Sequence, residues 1–355
     1  MVDKPSAKAV PLPLPIDDEY LETFNQGQTP DKPQLLAYYR ATLEATDILA
    51  RVQKLSAAIE DPNIDRSCQY QLLLGIKAIS NTNTVFDIDQ AVTSWHQNLP
   101  AHLKTYESQF PNVMLNRQAE LLRFRHLHMR MLTFRSVLSR FCLLRTETPI
   151  LASKFYESLP QRLALSCSAL CLRSACDLIE IVHERLKTSS SVAGTPVGWN
   201  VFLFVYTSAT ILQATRLHPL VESSVEGYDR ERLWHQTIEI LKNFERLGPT
   251  AQRSIVALEI LSEKITQAIS TRRELEACIE RSNSRDAYAE GLPTPAPSAW
   301  TKSAVGAAAP IAEPLQEELA PGGLLISGLS EPFDLEDFDF NLNDLSWLSS
   351  VPFDL

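Results

Sequence analysis

Apolar residues recur at helical spacing along most of the chain. Between residues 33 and 59, larger side chains return every three or four positions, which predicts one apolar helix face. That face consists of Leu36, Tyr39, Leu43, Thr46, Leu49 and Val52. Asp31 is suited to cap this helix, with Pro33 in its first turn. A shorter helix is predicted in DIDQAVTSWHQNLP and ends at Pro100.

The longest helical pattern covers residues 113–145, with arginines largely between its apolar positions. Those positions are Leu115, Ala119, Leu122, Leu127, Met131, Phe134, Leu138 and Cys142. Further helices are predicted at 161–187 and 199–216, and two more begin after Asp229 and Gly248. Because no convincing strand alternation interrupts this series, we predict an all-α fold, a multi-helix bundle of antiparallel helices.

Composition divides the chain into four ranges. Residues 1–29 are rich in proline and are predicted to be extended and disordered, whereas residues 30–285 carry the helical patterns of a regulatory domain. Residues 286–330 mix proline with alanine, glycine and serine, which is typical of a disordered linker. Residues 331–355 alternate bulky apolar groups with acids, and we predict a disordered acidic tail.

The negative charge of the chain is concentrated at its C-terminal end. The formal net charge is −10, and ten acids but no bases follow Lys302. Residues 1–302 are therefore neutral overall and lack the positive field that attracts nucleic acid. We expect no direct sequence-specific DNA binding by this chain alone.

The sequence lacks the common motifs for catalysis and cofactor binding. It contains no GxxxxGK or GxGxxG phosphate loop, no HExxH zinc motif and no GxSxG nucleophile turn. His126 and His128 point about 200° apart on a helix, so we expect them on a polar surface rather than sharing a metal. We therefore expect no enzyme, and no metal or cofactor bound by this chain.

The six cysteines and one uncharged run bear on the cellular compartment and on membrane insertion. The six cysteines are scattered without a disulfide framework or a signal peptide, which favours a reducing intracellular compartment. Cys167, Cys171 and Cys176 are interpreted as core residues, with thiol chemistry as the alternative. Polar residues interrupt the uncharged run from Thr188 to Thr215, so it indicates a buried helix rather than a membrane span.

Arginines are dense in the helix predicted around residues 123–145. They are Arg123, Arg125, Arg130, Arg135, Arg140 and Arg145. Because their stems can cover apolar surface while the heads stay in water, we interpret them as a solvated or internally paired face. DNA contact, and contact with a partner or an effector anion, are the alternatives.

Four segments, in this order, together resemble one protein family. They are LPLPIDDEYL (12–21), WHQNLPAHL (95–103), LRFRHLHMRMLTFRSVLSRF (122–141) and WNVFLFVYTSATIL (199–212). They resemble the regulatory middle region of fungal transcription factors of the zinc binuclear cluster class, over roughly residues 12–270. The long helix of that family usually contains LLFRP; here Leu132 to Arg135 matches, and Ser136 stands where proline is common.

The resemblance implies a transcriptional regulator whose helical domain dimerises or controls the tail, and whose target is a metabolic gene cluster. In that family, the DNA-binding module contains six cysteines, arranged as CxxCx6C followed by a second CxxC-type group. The six cysteines together bind two zinc ions. This chain has no such cluster, so zinc is implied only for a cluster outside it. Three interpretations stay open: the C-terminal piece of a longer factor, a short gene product without its DNA reader, or an unrelated protein.

The acidic and hydrophobic segment 331–355 is the candidate site. Its acids repel one another and keep the apolar side chains accessible to a partner. A helix wound at 335–348 on a coactivator would align Leu335, Phe338, Leu342, Leu345 and Leu348 on one stripe, with Phe340 and Trp347 at its edge. The predicted partner-binding residues are Phe333, Leu335, Phe338, Phe340, Leu342, Leu345, Trp347, Leu348 and Phe353.

The leading hypothesis is a nuclear transcriptional activator or coactivator. Its expected partners are a coactivator at the tail and a homodimer or a DNA-binding partner at the body, without a membrane. The alternative is a helical scaffold or adaptor protein whose acidic tail keeps it soluble. Because a solubilising tail needs acids but not aromatic side chains, the aromatic residues of 331–355 favour the activator.

Overall fold

A computed structural model of the chain describes eleven ranges of residues. They are 12, 16, 36–59, 74–75, 83–104, 113–143, 159–188, 198–244, 248–289, 340–342 and 345–348. Every regular element in these ranges is helical, which confirms the predicted all-α bundle. The proline-rich segment, apart from two residues, and nearly all of the predicted linker lie outside the described residues.

The helices follow one another in chain order. They are α1 (Ala37–Ile59), α2 (Val85–Asn98), α3 (Ala101–Lys104), α4 (Val113–Leu143), α5 (Leu159–Thr188), α6 (Trp199–Thr215), α7 (Pro219–Ser223), α8 (Arg230–Asn243) and α9 (Pro249–Ala289), with a 3-10 helix at Ser346–Leu348. The predicted helices are confirmed within a few residues at their ends. Helix α9 continues to Ala289, so its last turn lies where the linker was predicted to begin.

Short polar side chains define the starts of two helices. At α2, the backbone N–H of Asp87 donates to the Thr84 hydroxyl over 3.2 Å, and the backbone N–H of Thr84 donates to the Asp87 carboxylate over 2.8 Å. This capping box satisfies two backbone donors that a helix end leaves unpaired. Asp229 caps α8 by accepting from the backbone N–H of Arg232 over 3.1 Å.

Helix α1 buries a different face from the one predicted. Tyr39 is 54% exposed and Leu36 is 40% exposed, so the predicted stripe is wrong at these positions. The buried face is Ala37, Ala41, Ala45, Ile48, Val52 and Leu55. Its alanines let the backbone come close to α2, where the indole of Trp95 donates to the carbonyl of Ala41 over 3.0 Å. Of the predicted stripe, only Val52 belongs to this face, because alanines take the positions closest to α2.

Helices α4 and α6 form the centre of the bundle. Helix α4 contacts α1, α2, α3, α5 and α6, and α6 contacts α4, α5, α7 and α8. All eight predicted apolar positions of α4 are buried. The described residues belong to two compact units. The first lies within Met1–Gln267 and Asp339–Leu355, and the second lies within Ala268–Phe338. The site described below belongs to the first unit.

Candidate functional site

Helix α6 is apolar and buried on nearly every side. From Val201 to Thr215 all its residues except Leu203 are buried. Its hydroxyl groups bond within the helix: Thr207 donates to the carbonyl of Leu203 and Ser208 donates to the carbonyl of Phe204, each over 2.9 Å. Because these bonds satisfy the polar groups, neighbouring elements can surround the helix without leaving unpaired hydroxyls. A helix that is apolar all round must be covered on all its faces.

The C-terminal turn contacts α6. Leu345, Trp347 and Leu348 are only 1%, 4% and 1% exposed, whereas Ser346 between them faces solvent. The 3-10 helix Ser346–Leu348 packs against α6. We call residues 345–348 the C-terminal turn. This turn belongs to the acidic segment, yet it contributes apolar side chains to the core of the bundle.

Backbone bonds and one unusual dihedral angle define the turn. The N–H of Leu345 donates to the carbonyl of Asn341 over 3.3 Å, and the N–H of Leu348 donates to the carbonyl of Leu345 over 3.0 Å. Leu345 has a φ of 53°, in the left-handed region that leucine rarely adopts. Such a conformation is unfavourable and persists only where the surrounding packing enforces it. Burial of the three apolar side chains supplies that packing.

A cation lies beside the segment just before the turn. The Lys264 ammonium on α9 lies 5.9 Å from the centroid of the Phe340 ring, a distance at which the ring attracts a positive charge. Residues 331–355 carry seven acids and no bases. This contact links α9 to the residue that lies five positions before Leu345.

The structure differs from the expected disordered tail at these residues. Phe340 and Leu342 are partly buried, and Leu345, Trp347 and Leu348 are buried. Trp347 lies in the core beside Leu348, and its place at the edge of a coactivator-bound helix stays a prediction. The difference has a physical cause, because three neighbouring apolar side chains find an apolar helix to cover. Phe333, Leu335, Phe338 and Phe353 lie outside the described residues.

Two histidines are less exposed than the sequence suggested. His128 is buried, with its ring stacked on Phe204 at 4.3 Å between centroids. Burial lowers the pKa of His128 to about 3. His126 is half-buried and stacks on His96 at 4.2 Å. The expected polar surface is therefore wrong for His128, because α6 packs on that side of α4.

The described cysteines of α4 and α5 are core residues, as predicted for Cys167, Cys171 and Cys176. Burial raises the pKa of the Cys167 thiol to about 11 and that of Cys176 to about 12. The Cys171 thiol lies 3.5 Å from the carbonyl oxygen of Met131. Buried thiols with raised pKa values are poor nucleophiles. Among the described residues, no group of three or more metal-ligating side chains could hold a metal ion.

Two arginines of α4 form contacts with other groups of the same molecule. Arg130 lies 3.4 Å from the Asp89 carboxylate on α2, and its guanidinium lies over the Phe134 ring at 5.9 Å. Arg125 donates to the carbonyl of Thr42 over 3.5 Å. These contacts favour the internally paired interpretation. Within the described ranges, no helix has the length and apolarity to span a membrane.

The chain was compared with known proteins. It is similar to the "Sorbicillinoid biosynthetic cluster transcription factor 2" of Penicillium rubens, with 22% identity over 222 residues. The match covers 61% of this chain but only 30% of that relative. No family model matches the chain, and no solved structure matches it. The chain is thus similar, at low identity, to part of a fungal transcription factor; its resemblance to the zinc binuclear cluster class stays a prediction.

Proposed function

We propose that this chain is a transcriptional regulator that acts in the nucleus as an activator or coactivator. Similarity to a transcription factor of a biosynthetic cluster supports the regulator class and suggests a metabolic gene cluster as the target. The observation that carries the proposal is the burial of Leu345, Trp347 and Leu348 on a helix. Apolar residues of an acidic segment are thus able to bind an apolar helical surface.

The activating element is the acidic segment 331–355. Mutual repulsion of its seven acids opposes collapse of the segment on itself. Each large side chain buried in a coactivator groove contributes roughly 1.5–3 kcal/mol. Ordering the segment costs about 2–5 kcal/mol or more, so the complex is weak and exchanges readily. The partner is a coactivator with an apolar groove and a basic rim.

The helical body acts together with the acidic segment and does not itself bind DNA. Residues 1–302 are neutral overall, and Arg130 of α4 is paired with Asp89, so the body lacks the excess of positive charge that phosphate contacts need. Because the body does not bind DNA, another module must contact the promoter. That module is a DNA-binding partner, which binds the chain directly or through a second copy of it, or a zinc cluster outside this sequence. We propose that the chain catalyses no reaction, binds no cofactor and has no membrane partner.

A reporter assay tests the activating segment. Residues 303–355 are fused to an unrelated DNA-binding domain, and transcription from its promoter is measured. The fusion should activate, and changing Phe338, Leu342 and Leu345 together to alanine should abolish output because the stripe loses its anchors. Changing any one acid to asparagine should only reduce output, since the acids act as a group. The full chain without the foreign domain should leave the reporter at background.

The scaffold interpretation makes the opposite prediction. If the tail only keeps a helical adaptor in solution, the wild-type fusion gives no output, or the triple alanine variant keeps full output. Immunoblots confirm that the fusions are present at equal levels. Activation by the full chain without a foreign domain would instead contradict the proposed lack of DNA contact.

A further inference from the structure

Two stacked histidines meet basic side chains where α2 and α3 pack against α4. We propose that this histidine cluster, His96, Lys104, Arg123 and His126, binds one tetrahedral dianion, the phosphate group of a small phosphate monoester. Binding is coupled to uptake of a proton by the histidines, and the ligand joins α2 and α3 to α4. Because the site lies in the helical body and involves no residue of the acidic segment, it is separate from the proposed function.

The two rings define the centre of the site. His96 of α2 and His126 of α4 stack with 4.2 Å between their ring centroids, and the ring of Trp95 lies 6.5 Å from that of His126. Both histidines are partly buried, so an ion in solvent can reach their edges. Among the described residues, His126 makes these ring contacts but no hydrogen bond. Its ring N–H is therefore able to donate to an oxygen of a ligand.

The contact between α2 and α4 is charge-balanced at one end but not at the other. Arg123, His126 and Arg130 recur at spacings of three and four, so they lie on one face of α4. Arg130 lies 3.4 Å from the carboxylate of Asp89 on α2. One turn earlier on α4, His126 faces His96 instead of an acid. The half of this contact that contains Arg123 and the two histidines therefore lacks the matching acid that Arg130 has.

Helix α3 adds a further cation beside His96. The ammonium group of Lys104 donates to the carbonyl of Gln97, the residue that follows His96. Within the described part of the chain, Lys104 forms no ion pair, so its charge is available to an anion. Hydrogen bonds from charged donors to an anion are among the stronger ones in proteins. Lys104 and the two histidines thus supply donors from three helices to one ligand.

The two histidines are uncharged near neutral pH because their surroundings oppose protonation. Burial, followed by the charges of Lys104 and Arg123, lowers the pKa of His96. Burial, followed by the charges of His96 and Arg130, lowers the pKa of His126 to about 3. A bound dianion acts in the opposite direction, because a nearby negative charge stabilises the imidazolium form and raises its pKa. The dianion therefore binds together with a proton, and its affinity increases as the pH falls.

Charged groups of both signs surround the cluster. Asp89 of α2 faces Arg130, and Asp177 of α5 faces both Arg123 and Arg130. Charged residues of α1 lie beside Trp95; they are Arg40, Glu44 and Asp47, of which the first two pair over 3.0 Å. None of these acids contributes to the pKa of either histidine, whereas basic groups do. The cations of α3 and α4 thus determine the potential at the two rings.

The dimensions of the cluster favour a small ligand over a nucleic acid. The two ring edges are about as far apart as their 4.2 Å stacking distance, so the oxygens of one tetrahedral anion can bridge them. A phosphate monoester carries close to two negative charges near neutral pH and has three strong acceptor oxygens. A DNA duplex gains affinity from many phosphate contacts spread along a surface, and a single cluster does not supply them.

Calorimetric titration of the full chain, residues 1–355, with sodium sulfate is the first test, at an ionic strength held constant with sodium chloride. Sulfate keeps both charges between pH 8 and pH 5.5, so a pH-dependent affinity arises from the protein. The affinity should increase by about tenfold as the pH falls over this range, with uptake of a proton. Inorganic phosphate and phenyl phosphate should compete with sulfate at pH 7.

Histidine variants locate the site. His126→Gln keeps a polar side chain but cannot take up a proton, so it should lower the sulfate affinity at pH 5.5 by about tenfold and remove the pH dependence. Lys104→Gln should lower the affinity by about threefold at every pH and keep the pH dependence. His235→Gln, at an exposed position of α8, is the matched control and should bind sulfate like wild type.

Nuclear magnetic resonance of the wild-type histidine rings gives a readout that needs no variant. Saturating sulfate should raise the pKa of His126 and leave that of His235 unchanged. Unaltered titration of His126, a sulfate affinity that does not vary with pH, or wild-type binding by folded His126→Gln would each overturn the proposal. Binding of a DNA duplex without binding of free phosphate would overturn it too and assign the cluster to nucleic acid. An inactive 303–355 fusion refutes the proposed function alone, because anion binding is measured without transcription.

Discussion

At the C-terminal turn, the free energy gained by burying individual side chains is opposed by the cost of ordering their backbone. Burying Leu345, Trp347 and Leu348 stabilises the turn by roughly 1.5–3 kcal/mol for each large side chain. The left-handed backbone of Leu345 costs on the order of 1–3 kcal/mol, and ordering the chain costs roughly 1–2 kcal/mol for each residue. Because these opposing energies are of similar size, the net stability of the turn is small.

His128 makes stability depend on pH. Its folded pKa is about 3, below the value of about 6.5 for an unfolded histidine. Between these values the unfolded chain binds the extra proton, so the free energy of unfolding falls as the pH decreases below 6.5. By pH 5 this one residue should remove about 2 kcal/mol. Urea unfolding followed by circular dichroism at pH 7 and pH 5 measures the difference.

Two variants isolate that contribution. His128→Gln keeps a polar side chain near Thr207 but cannot take up a proton, so the loss of stability between pH 7 and pH 5 should shrink by about 2 kcal/mol. His235→Gln, at an exposed position of α8, should keep the wild-type difference. An undiminished loss in His128→Gln would show that other groups cause the pH dependence.

Among the elements, helices with large apolar residues at regular spacing were predictable from the sequence. The residues of α4 from Leu115 to Cys142 were placed correctly, because spacing alone identifies a face that is lined by leucine, methionine and phenylalanine. Helix α1 was placed correctly along the chain but turned to the wrong face. Its contact with Trp95 depends on alanines, whose role appears only when the neighbouring helix is present.

The first turn of α2 gives a prediction for local stability. Thr84→Ala removes the side-chain acceptor for the Asp87 amide, so it should lower the free energy of unfolding by about 1 kcal/mol. Thr93→Ala in the same helix is exposed and should be neutral or slightly stabilising, because alanine favours helix more than threonine does. Equal effects of the two variants would mean that the capping box contributes nothing. Thermal and urea unfolding of both variants provide the comparison.

The candidate site was only partly predictable. Alternating acids and aromatic residues directed attention to segment 331–355, whose role in partner binding stays a prediction. Nothing in a local pattern could show that Lys264 meets Phe340, because the two residues are far apart in the chain and the contact exists only in the fold. The left-handed Leu345 was also unpredictable, since leucine favours helix and only the packing of the turn enforces this angle.

For the whole molecule, the distribution of charge and apolar surface suggests a division of roles. The first 302 residues are neutral and form a helical body, and all of the net charge lies in the residues that follow. The reporter fusions described above therefore test whether activation resides in the residues after Lys302.

The most direct measurement compares reporter output from two fusions on the same DNA-binding domain and at equal protein levels. One carries residues 303–355 and the other carries residues 1–302. Because the acids and aromatic side chains of segment 331–355 belong only to the first fusion, it should give clearly higher output than the second. Equal output, or higher output from residues 1–302, would contradict activation by this segment.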